Sequence, residues 1–154
     1  MASVIFDLYS KPDVIGGIAT GGIAQGVLIA QDMGLPFIYV RAEAKKHGTE
    51  NLIEGEIQEG QSIILIEDLI STGGSSLKAA KALIDAKCIV KSIISIFTYN
   101  LPVADAAFKK ANVNHMSLCD FPTLIERATE TNYITEAAAD SLRNWMQNPE
   151  GWSK

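Results

Sequence analysis

The chain is poor in basic residues: its 154 residues include 13 Lys and Arg against 18 Asp and Glu, which gives a formal net charge of −5. Non-specific binding of nucleic acid depends on clustered Lys and Arg, so this balance argues against a nucleic-acid-binding role. Long apolar runs are also missing. No run approaches the roughly 18 residues that a membrane-spanning helix needs, and the first residues do not pair a basic region with an apolar core. We therefore expect a cytoplasmic protein with no membrane and no nucleic-acid partner.

Two familiar phosphate-binding motifs are absent as well. The sequence contains neither G-x-x-x-x-G-K-[ST] nor a G-x-G-x-x-G that follows a strand, which excludes a P-loop and a dinucleotide fingerprint. Cysteine is scarce: Cys88 and Cys119 are the only two, and their spacing is not that of a metal site. We interpret both as buried thiols rather than as a disulfide or a catalytic nucleophile, because each lies in an apolar segment.

Apolar segments of strand and helix length alternate along the chain. Strands are predicted at residues 13–19, 36–40, 63–66, 89–99 and 113–118, with an imperfect alternation at 52–57, and helices at 20–34, 75–86, 103–111, 122–131 and 135–147. Because strands that alternate with helices form parallel sheets with right-handed crossovers, we expect an α/β fold, a doubly wound, mostly parallel sheet flanked by helices. With 47% hydrophobic residues at this length, we expect residues 1–154 to form a single domain.

The most informative stretch is residues 62–76, S-I-I-L-I-E-D-L-I-S-T-G-G-S-S. Its apolar run is typical of a strand buried on both faces, so Glu67 and Asp68 are expected at the carboxyl end, where open α/β sheets bind ligands. The loop 71–75 then leads into a helix that we expect Ser75 to cap. Carboxylates accept hydrogen bonds from sugar hydroxyls and the amides of such a loop cradle a phosphate, so a sugar phosphate would satisfy both halves. The alternative is an ordinary turn with two solvated carboxylates.

Two further loops contain residues that suit an anion. Residues 16–22, G-G-I-A-T-G-G, form a strand end that opens onto a helix, and glycine lets backbone approach an anion closely. A tight turn chosen for packing is the alternative there. Residues 39–48 concentrate the side chains of Arg41, Lys45, Lys46 and His47. A mobile loop over 43–51 would bring such side chains over a leaving anion and exclude water, whereas the alternative is a solvated charge run.

The stretch 62–76 closely resembles the phosphoribosyl-diphosphate (PRPP) signature of type I phosphoribosyltransferases. The resemblance implies that Glu67 and Asp68 hold the ribose 2′ and 3′ hydroxyls. It also implies that residues 71–75 wrap the 5′-phosphate.

The other two loops resemble parts of the same family. Loop 16–22 is similar to its pyrophosphate loop, which commonly carries a cis peptide near Ala19-Thr20, and some orotate enzymes have a lysine where Gly21 stands. The pattern R-x-E-x-K-x-H-G over 41–48 resembles the catalytic loop of orotate phosphoribosyltransferases in particular, although Ala42 replaces a frequent lysine. There the arginine binds pyrophosphate in its own subunit, and the lysine and histidine reach the neighbouring one.

The family resemblance implies a set of site residues. Those implied to bind PRPP are Thr20, Gly21, Gly22, Arg41, Lys45, His47, Glu67, Asp68, Ser71, Thr72, Gly73, Gly74 and Ser75. Those implied to be catalytic are Lys45, His47 and Asp68, and Thr72 is also implied to contact the substrate base. The implied cofactor is Mg²⁺, held through PRPP near Glu67 and Asp68 without a direct protein ligand.

The activity implied by the resemblance is transfer of ribose 5-phosphate from PRPP to orotate, giving orotidine 5′-phosphate and pyrophosphate in pyrimidine biosynthesis. It also implies a homodimer that shares loop 43–51 across its interface. Two alternatives stay open. One is a PRPP-binding regulatory module or an inactive truncated phosphoribosyltransferase, and the other is a purine-type phosphoribosyltransferase.

The two ends of the chain give weaker signals. Orotate phosphoribosyltransferases usually begin with several dozen residues that form a hood over the base, and residues 1–12 are expected to be a remnant of that segment. Residues 133–135 and 145–152 resemble the C-terminal end of bacterial orotate enzymes. By themselves, Trp145 and Trp152 are predicted to be packing aromatics.

Overall fold

The computed structural model describes residues 1–41, 52–149 and 151. Its strands are β1 (Val14–Ile18), β2 (Phe37–Val40), β3 (Ile53–Glu54), β4 (Ser62–Ile70), β5 (Ile89–Thr98) and β6 (His115–Asp120). Its helices are α1 (Ala2–Tyr9), α2 (Gly22–Met33), α3 (Gly74–Asp85), α4 (Pro102–Ala111), α5 (Phe121–Glu130) and α6 (Glu136–Gln147). The predicted α/β class is confirmed, since strands and helices alternate through most of the chain.

The strands form one sheet in the order β3-β2-β1-β4-β5-β6. Every neighbouring pair is parallel except β2 with the two-residue strand β3. The chain runs outward in one direction from β1 to β2 and in the other from β4 to β5, so the order reverses between β1 and β4. Ligands of open α/β sheets bind at such a point, beyond the carboxyl ends of the strands. We call this side of the sheet the carboxyl edge.

The sheet is covered on both faces, and β4 lies at its centre. Ile63 and Leu65 pack into the apolar cluster that also holds side chains of α3 and α4, whereas Ile64 and Ile66 pack into the cluster on the side of α1 and α2. All four are fully buried. Because successive strand residues point to opposite faces, this alternation also fixes the sides on which the next residues of β4 lie.

Several sequence-based boundaries needed correction. The predicted strand 63–66 lies within a nine-residue strand, Ser62–Ile70, which also contains both acidic residues. The strand predicted at 113–118 is shifted to His115–Asp120. The last helix is capped by Thr135, whose hydroxyl accepts a hydrogen bond from the Ala138 amide at 3.3 Å.

The two cysteines have different surroundings. Cys88 is a buried thiol, as predicted, and burial raises its pKa. Cys119 is exposed, so that prediction was wrong. It lies on β6, the edge strand of the sheet, none of whose residues is fully buried.

None of the helices in the described part of the chain is long and apolar enough to span a bilayer. The N-terminal residues form a short helix, α1, which buries Ile5 in the cluster beside α2. Whether residues 1–12 are the remnant of a hood stays a prediction, and the predicted loop 43–51 lies outside the described residues.

Candidate active site

The two glycine-containing loops singled out in the sequence meet at the carboxyl edge. One joins β1 to α2 and the other joins β4 to α3, and their strands are neighbours in register, Gly16 beside Leu65 and Gly17 beside Ile66. Each loop leads directly into a helix. The structure therefore brings the predicted pyrophosphate and phosphate loops to the two sides of the point where the strand order reverses.

Glu67 points from β4 toward α3 and is 5% exposed. Its Oε2 accepts a hydrogen bond from the Ser76 hydroxyl at 3.1 Å, and its Oε1 accepts one from the Asp68 amide at 3.2 Å. The pKa of Glu67 is raised to about 7, first because burial removes water from the carboxylate and second because of the Asp68 side chain. A buried carboxylate that titrates near neutrality is unusual away from binding sites.

Asp68 lies on the opposite face of the strand and is exposed. Its Oδ1 accepts a hydrogen bond from the Leu69 amide at 2.7 Å. The carboxyl lies directly against the backbone of Gly21, so closely that a Cβ at that position would overlap it. A Cβ at Gly22 would likewise overlap the Ile66 carbonyl oxygen. Glycine at both positions is therefore what lets the β1–α2 loop lie against the acidic pair.

The peptide bond between Ala19 and Thr20 is cis, which confirms the expectation from the family resemblance. The loop is tied to the sheet by a hydrogen bond from the Ala19 amide to the Val40 carbonyl at 2.9 Å. Thr20 is exposed and Gly21 half-buried, whereas Gly22 is buried at the start of α2.

The β4–α3 turn differs from the sequence-based expectation in one respect. Ser75 does not cap the helix; Gly73 does, with φ of 80° and no side-chain cap bond. A Cβ at Gly73 would come within 2.7 Å of the Phe108 ring, so packing as well as conformation requires glycine there. The helix consequently begins one residue earlier than predicted, and Ser75 lies exposed in its first turn.

This turn presents a set of backbone donors at the carboxyl edge. The first amides of a helix have no intrahelical acceptor, and their aligned dipoles favour an anion. Among the described residues, no hydrogen bond is donated by the backbone amides of 71–76 to protein groups outside α3. Ser71, Thr72, Gly74 and Ser75 are exposed around them.

Arg41 follows β2 at the same edge. Its amide donates to the Leu52 carbonyl at 2.8 Å, and its guanidinium lies 3.5 Å from the Glu54 carboxylate. The predicted catalytic residues Lys45 and His47, together with Ala42, lie outside the described residues. The structure thus collects Thr20 to Gly22, Arg41, Glu67, Asp68 and Ser71 to Ser75 at one edge.

Two features of this edge had no prior sequence prediction. Ser76, the last residue of the signature stretch, bonds to Glu67 through its side chain. A cleft of about 470 Å³ runs beside Ser71 and Thr72. It is lined by the start of α4 and by the end of α6, including Trp145. Trp145 packs edge-on against Tyr99 and Phe121 at ring-centroid distances of 5.3 Å, as expected for a packing aromatic. Trp152 lies outside the described residues.

Known proteins share this sequence and this arrangement. The phosphoribosyl transferase domain family matches residues 1–119 of the chain. The orotate phosphoribosyltransferase of Porphyromonas gingivalis is 45% identical over 152 residues, which are 99% of this chain and 72% of that protein. The enzyme of the same name from Phocaeicola vulgatus shows the same identity and coverage.

A solved structure supports the fold independently. The crystal structure of orotate phosphoribosyltransferase from Aeropyrum pernix superposes with a TM-score of 0.73 at 22% identity, covering 87% of this chain and 75% of that one. Three observations point to the same family: the family match over most of the chain, the sequence identity with the relatives, and the two loops that meet at the carboxyl edge. The chain belongs to the phosphoribosyltransferase domain family and, within it, to the orotate phosphoribosyltransferases.

Proposed function

We propose that this chain transfers ribose 5-phosphate from PRPP to orotate and releases pyrophosphate. The observation that carries the proposal is the meeting of the β1–α2 loop with the acidic pair of β4, where Gly21 lies against the Asp68 carboxyl. A ligand that fills this junction needs a phosphate at the β4–α3 turn, a pyrophosphate at the β1–α2 loop, and sugar hydroxyls between them at the acidic pair. PRPP has that order of groups, and the relatives are named for reactions of orotate.

The acidic pair supplies acceptors for the ribose hydroxyls in this proposal. Glu67 is held by two hydrogen bonds and Asp68 by one, so both carboxylates are oriented before a ligand arrives. The turn of residues 71–75 supplies the amides and hydroxyls for the 5′-phosphate, with the positive end of the α3 dipole behind them. Thr72 lies next to the apolar cleft, which suits its predicted contact with the base.

The pyrophosphate leaves from the side of the β1–α2 loop. Backbone of Thr20 to Gly22 and the guanidinium of Arg41 are the groups proposed to hold it. Charge that develops on a leaving pyrophosphate is stabilised best by donors fixed in advance. The catalytic roles of Lys45 and His47, and a homodimer in which loop 43–51 crosses to the neighbouring subunit, belong to the proposal on the strength of the family resemblance.

The acidic pair also fits a magnesium ion that is held through the substrate. Among residues 1–41, 52–149 and 151, no cluster of three or more His, Cys, Asp or Glu forms a protein cage for a metal. Mg²⁺ keeps water and phosphate oxygens and usually takes only one or two carboxylates from a protein. The exposed Asp68, with Glu67 beside it, places negative charge near an ion that PRPP itself would hold, without a direct protein ligand. When bound, the ion supplies positive charge that neutralises the pyrophosphate.

The test is the fall in orotate absorbance when PRPP and Mg²⁺ are added to the purified chain. We expect turnover in the parent and its loss in the double variant Glu67→Gln, Asp68→Asn, since that variant removes both negative charges without changing side-chain size. Asp85→Asn is the matched control. Its carboxylate is exposed on α3 and pairs with Lys81 at 2.8 Å, away from the carboxyl edge.

Three outcomes would count against the proposal. PRPP binding by calorimetry without orotate turnover would favour a regulatory module. Turnover with adenine, guanine or hypoxanthine but not orotate would favour the purine-type alternative. Full activity in the double variant would show that the acidic pair is not needed for the reaction.

A further inference from the structure

The hydroxyl of Ser76 connects two parts of the site that are distant in sequence. Ser76 lies in the first turn of α3 and is 1% exposed. Its Oγ donates to Glu67 Oε2 on β4 at 3.1 Å. A helical serine commonly bonds to the carbonyl four residues earlier, but for Ser76 that residue is Thr72, which precedes α3. Here the bond leaves the helix and reaches a side chain of the sheet.

With this bond, both oxygens of the Glu67 carboxylate accept a hydrogen bond, which fixes the orientation of the group. The other oxygen, Oε1, accepts from the Asp68 amide at 3.2 Å, so each carboxylate oxygen has one protein donor. A carboxylate held at both oxygens cannot rotate about its last bond without losing a hydrogen bond. Buried hydrogen bonds to a charged group are among the stronger ones in proteins. Without the hydroxyl, only the backbone amide would orient Glu67.

The same turn of α3 carries the amides that face the proposed phosphate position. Gly74 and Ser75 precede Ser76 directly, so a shift of this turn relative to β4 would change the distance between the phosphate and the hydroxyl acceptor. Small errors in such distances are costly for a ligand that must reach both ends at once. The hydrogen bond between Ser76 and Glu67 joins the side chains of this turn and of the acidic pair.

We propose that Ser76 is a positioning residue: it sets the Glu67 carboxylate at a fixed distance from the phosphate-binding turn, so that one ligand engages the sugar hydroxyls and the 5′-phosphate together. The inference rests on the proposed function, since it needs PRPP as the ligand. Ser76 does not touch the substrate in this account. It acts through Glu67, and its removal weakens PRPP binding.

A matched control exists in the same sheet. Ser92 is also fully buried, and its hydroxyl donates to the Asn114 carbonyl at 3.2 Å. It lies in the amino-terminal half of β5, away from the carboxyl edge. Ser92→Ala therefore removes a buried serine hydroxyl without disturbing Glu67, and it reports what such a loss does to the fold alone.

The experiment measures PRPP affinity with Mg²⁺ by calorimetry, together with the KM for PRPP and for orotate and the melting temperature. We expect Ser76→Ala to weaken PRPP binding about tenfold, the equivalent of about 1.4 kcal/mol. Ser92→Ala should leave the affinity within about twofold, and Ser76→Thr, which keeps the hydroxyl, should restore most of it. The KM for orotate should change little, because Glu67 faces the ribose.

A double-mutant cycle distinguishes positioning from packing. If Ser76 acts through Glu67, Ser76→Ala should cost no further affinity in a Glu67→Ala background. Should Ser76→Ala fail to fold, Ser76→Cys carries the same expectation, since a thiol fills similar space but is a weak donor.

Several results would overturn the inference. A folded Ser76→Ala variant with unchanged affinity, an undiminished effect in the Glu67→Ala background, or a folded Ser76→Thr variant as weak as Ser76→Ala would each do so. A parent chain that binds no PRPP would overturn the proposed function as well. That outcome is distinct, because it is read from the parent before any variant is compared.

Discussion

The two ends of β4 each bring a carboxylate into contact with a serine hydroxyl, yet the two pairs differ in character. At the amino end, Asp13 Oδ2 accepts from the Ser62 hydroxyl at 2.6 Å and from the Ser62 amide at 2.7 Å in an exposed position. At the carboxyl end, Glu67 accepts from Ser76 while nearly fully buried. Hydrogen bonds from Ser62 lower the pKa of Asp13, whereas burial raises the pKa of Glu67 to about 7.

The difference separates a carboxylate that joins two strands from one that we propose binds the substrate. Asp13 is exposed and accepts two hydrogen bonds from Ser62, so it joins the start of β1 to β4 while its carboxylate stays in contact with water. Glu67 is buried, so its charged form is unfavourable unless a ligand or another group interacts with the charge. Such an arrangement reduces stability and is typical of sites that await a ligand.

The largest effect is expected from neutralising the acidic pair. The double variant Glu67→Gln, Asp68→Asn should weaken PRPP binding at least about tenfold, because two acceptors of charge-assisted hydrogen bonds are lost. Asp13→Asn, at the other end of the strand, should leave PRPP affinity unchanged. Calorimetry with PRPP and Mg²⁺ compares the two, and equal losses in both variants would mean that the ends of β4 do not differ as described.

A smaller loss is expected from Gly21→Ala, since the new Cβ would overlap the Asp68 carboxyl and displace it. We expect PRPP affinity to fall several-fold with the fold intact. The comparison is Gly34→Ala, at the end of α2, where nothing lies within 4 Å of the added Cβ but φ is +62°. That variant should be destabilised by about 1 kcal/mol and bind PRPP normally. Unchanged binding in Gly21→Ala would show that Asp68 tolerates displacement.

The pH dependence of stability should have opposite signs at the two ends. The pKa of folded Glu67, about 7, lies above its ordinary value of 4.5, so its favourable contribution is complete below pH 4.5 and is lost as the pH rises through 7. Glu67→Gln should therefore gain stability relative to the parent between pH 4.5 and 7, by up to about 3 kcal/mol. Denaturant unfolding across this range measures it; a constant difference between the two proteins would contradict the raised pKa.

The smallest effect is expected at Asp13. Its pKa is lowered, so its contribution is present above its ordinary pKa of 3.8 and is lost as the pH falls through the lower folded value. Asp13→Asn should lower the melting temperature by a few degrees at pH 7, and the difference from the parent should shrink in acid. Thermal melts at pH 7 and below pH 3.8 check this. A difference that grows in acid would reverse the sign assigned to Asp13.

Much of the architecture followed from the order of residues along the chain. Alternating apolar segments predicted the parallel sheet, because a buried parallel strand such as Ile63 to Ile66 has few polar residues to interrupt it. The stretch 62–76 placed Glu67 and Asp68 near a strand terminus, beside a turn that we predict binds an anion. The resemblance of loop 16–22 to the pyrophosphate loop of the family also anticipated the cis bond at Ala19-Thr20.

The remaining properties depend on contacts between segments that the sequence does not pair. Glu67 and Asp68 are both carboxylates that follow each other in the sequence. Glu67 is buried against α3, whereas Asp68 is exposed beside Gly21, because neighbouring strand residues face opposite sides. Gly73, where an added Cβ would meet the Phe108 ring, caps α3 instead of Ser75, which lies inside the first turn of the helix. Sequence patterns record periodicity and local chemistry; burial, and with it the pKa of Glu67 and the partner of Ser76, arises only when α3 packs onto β4.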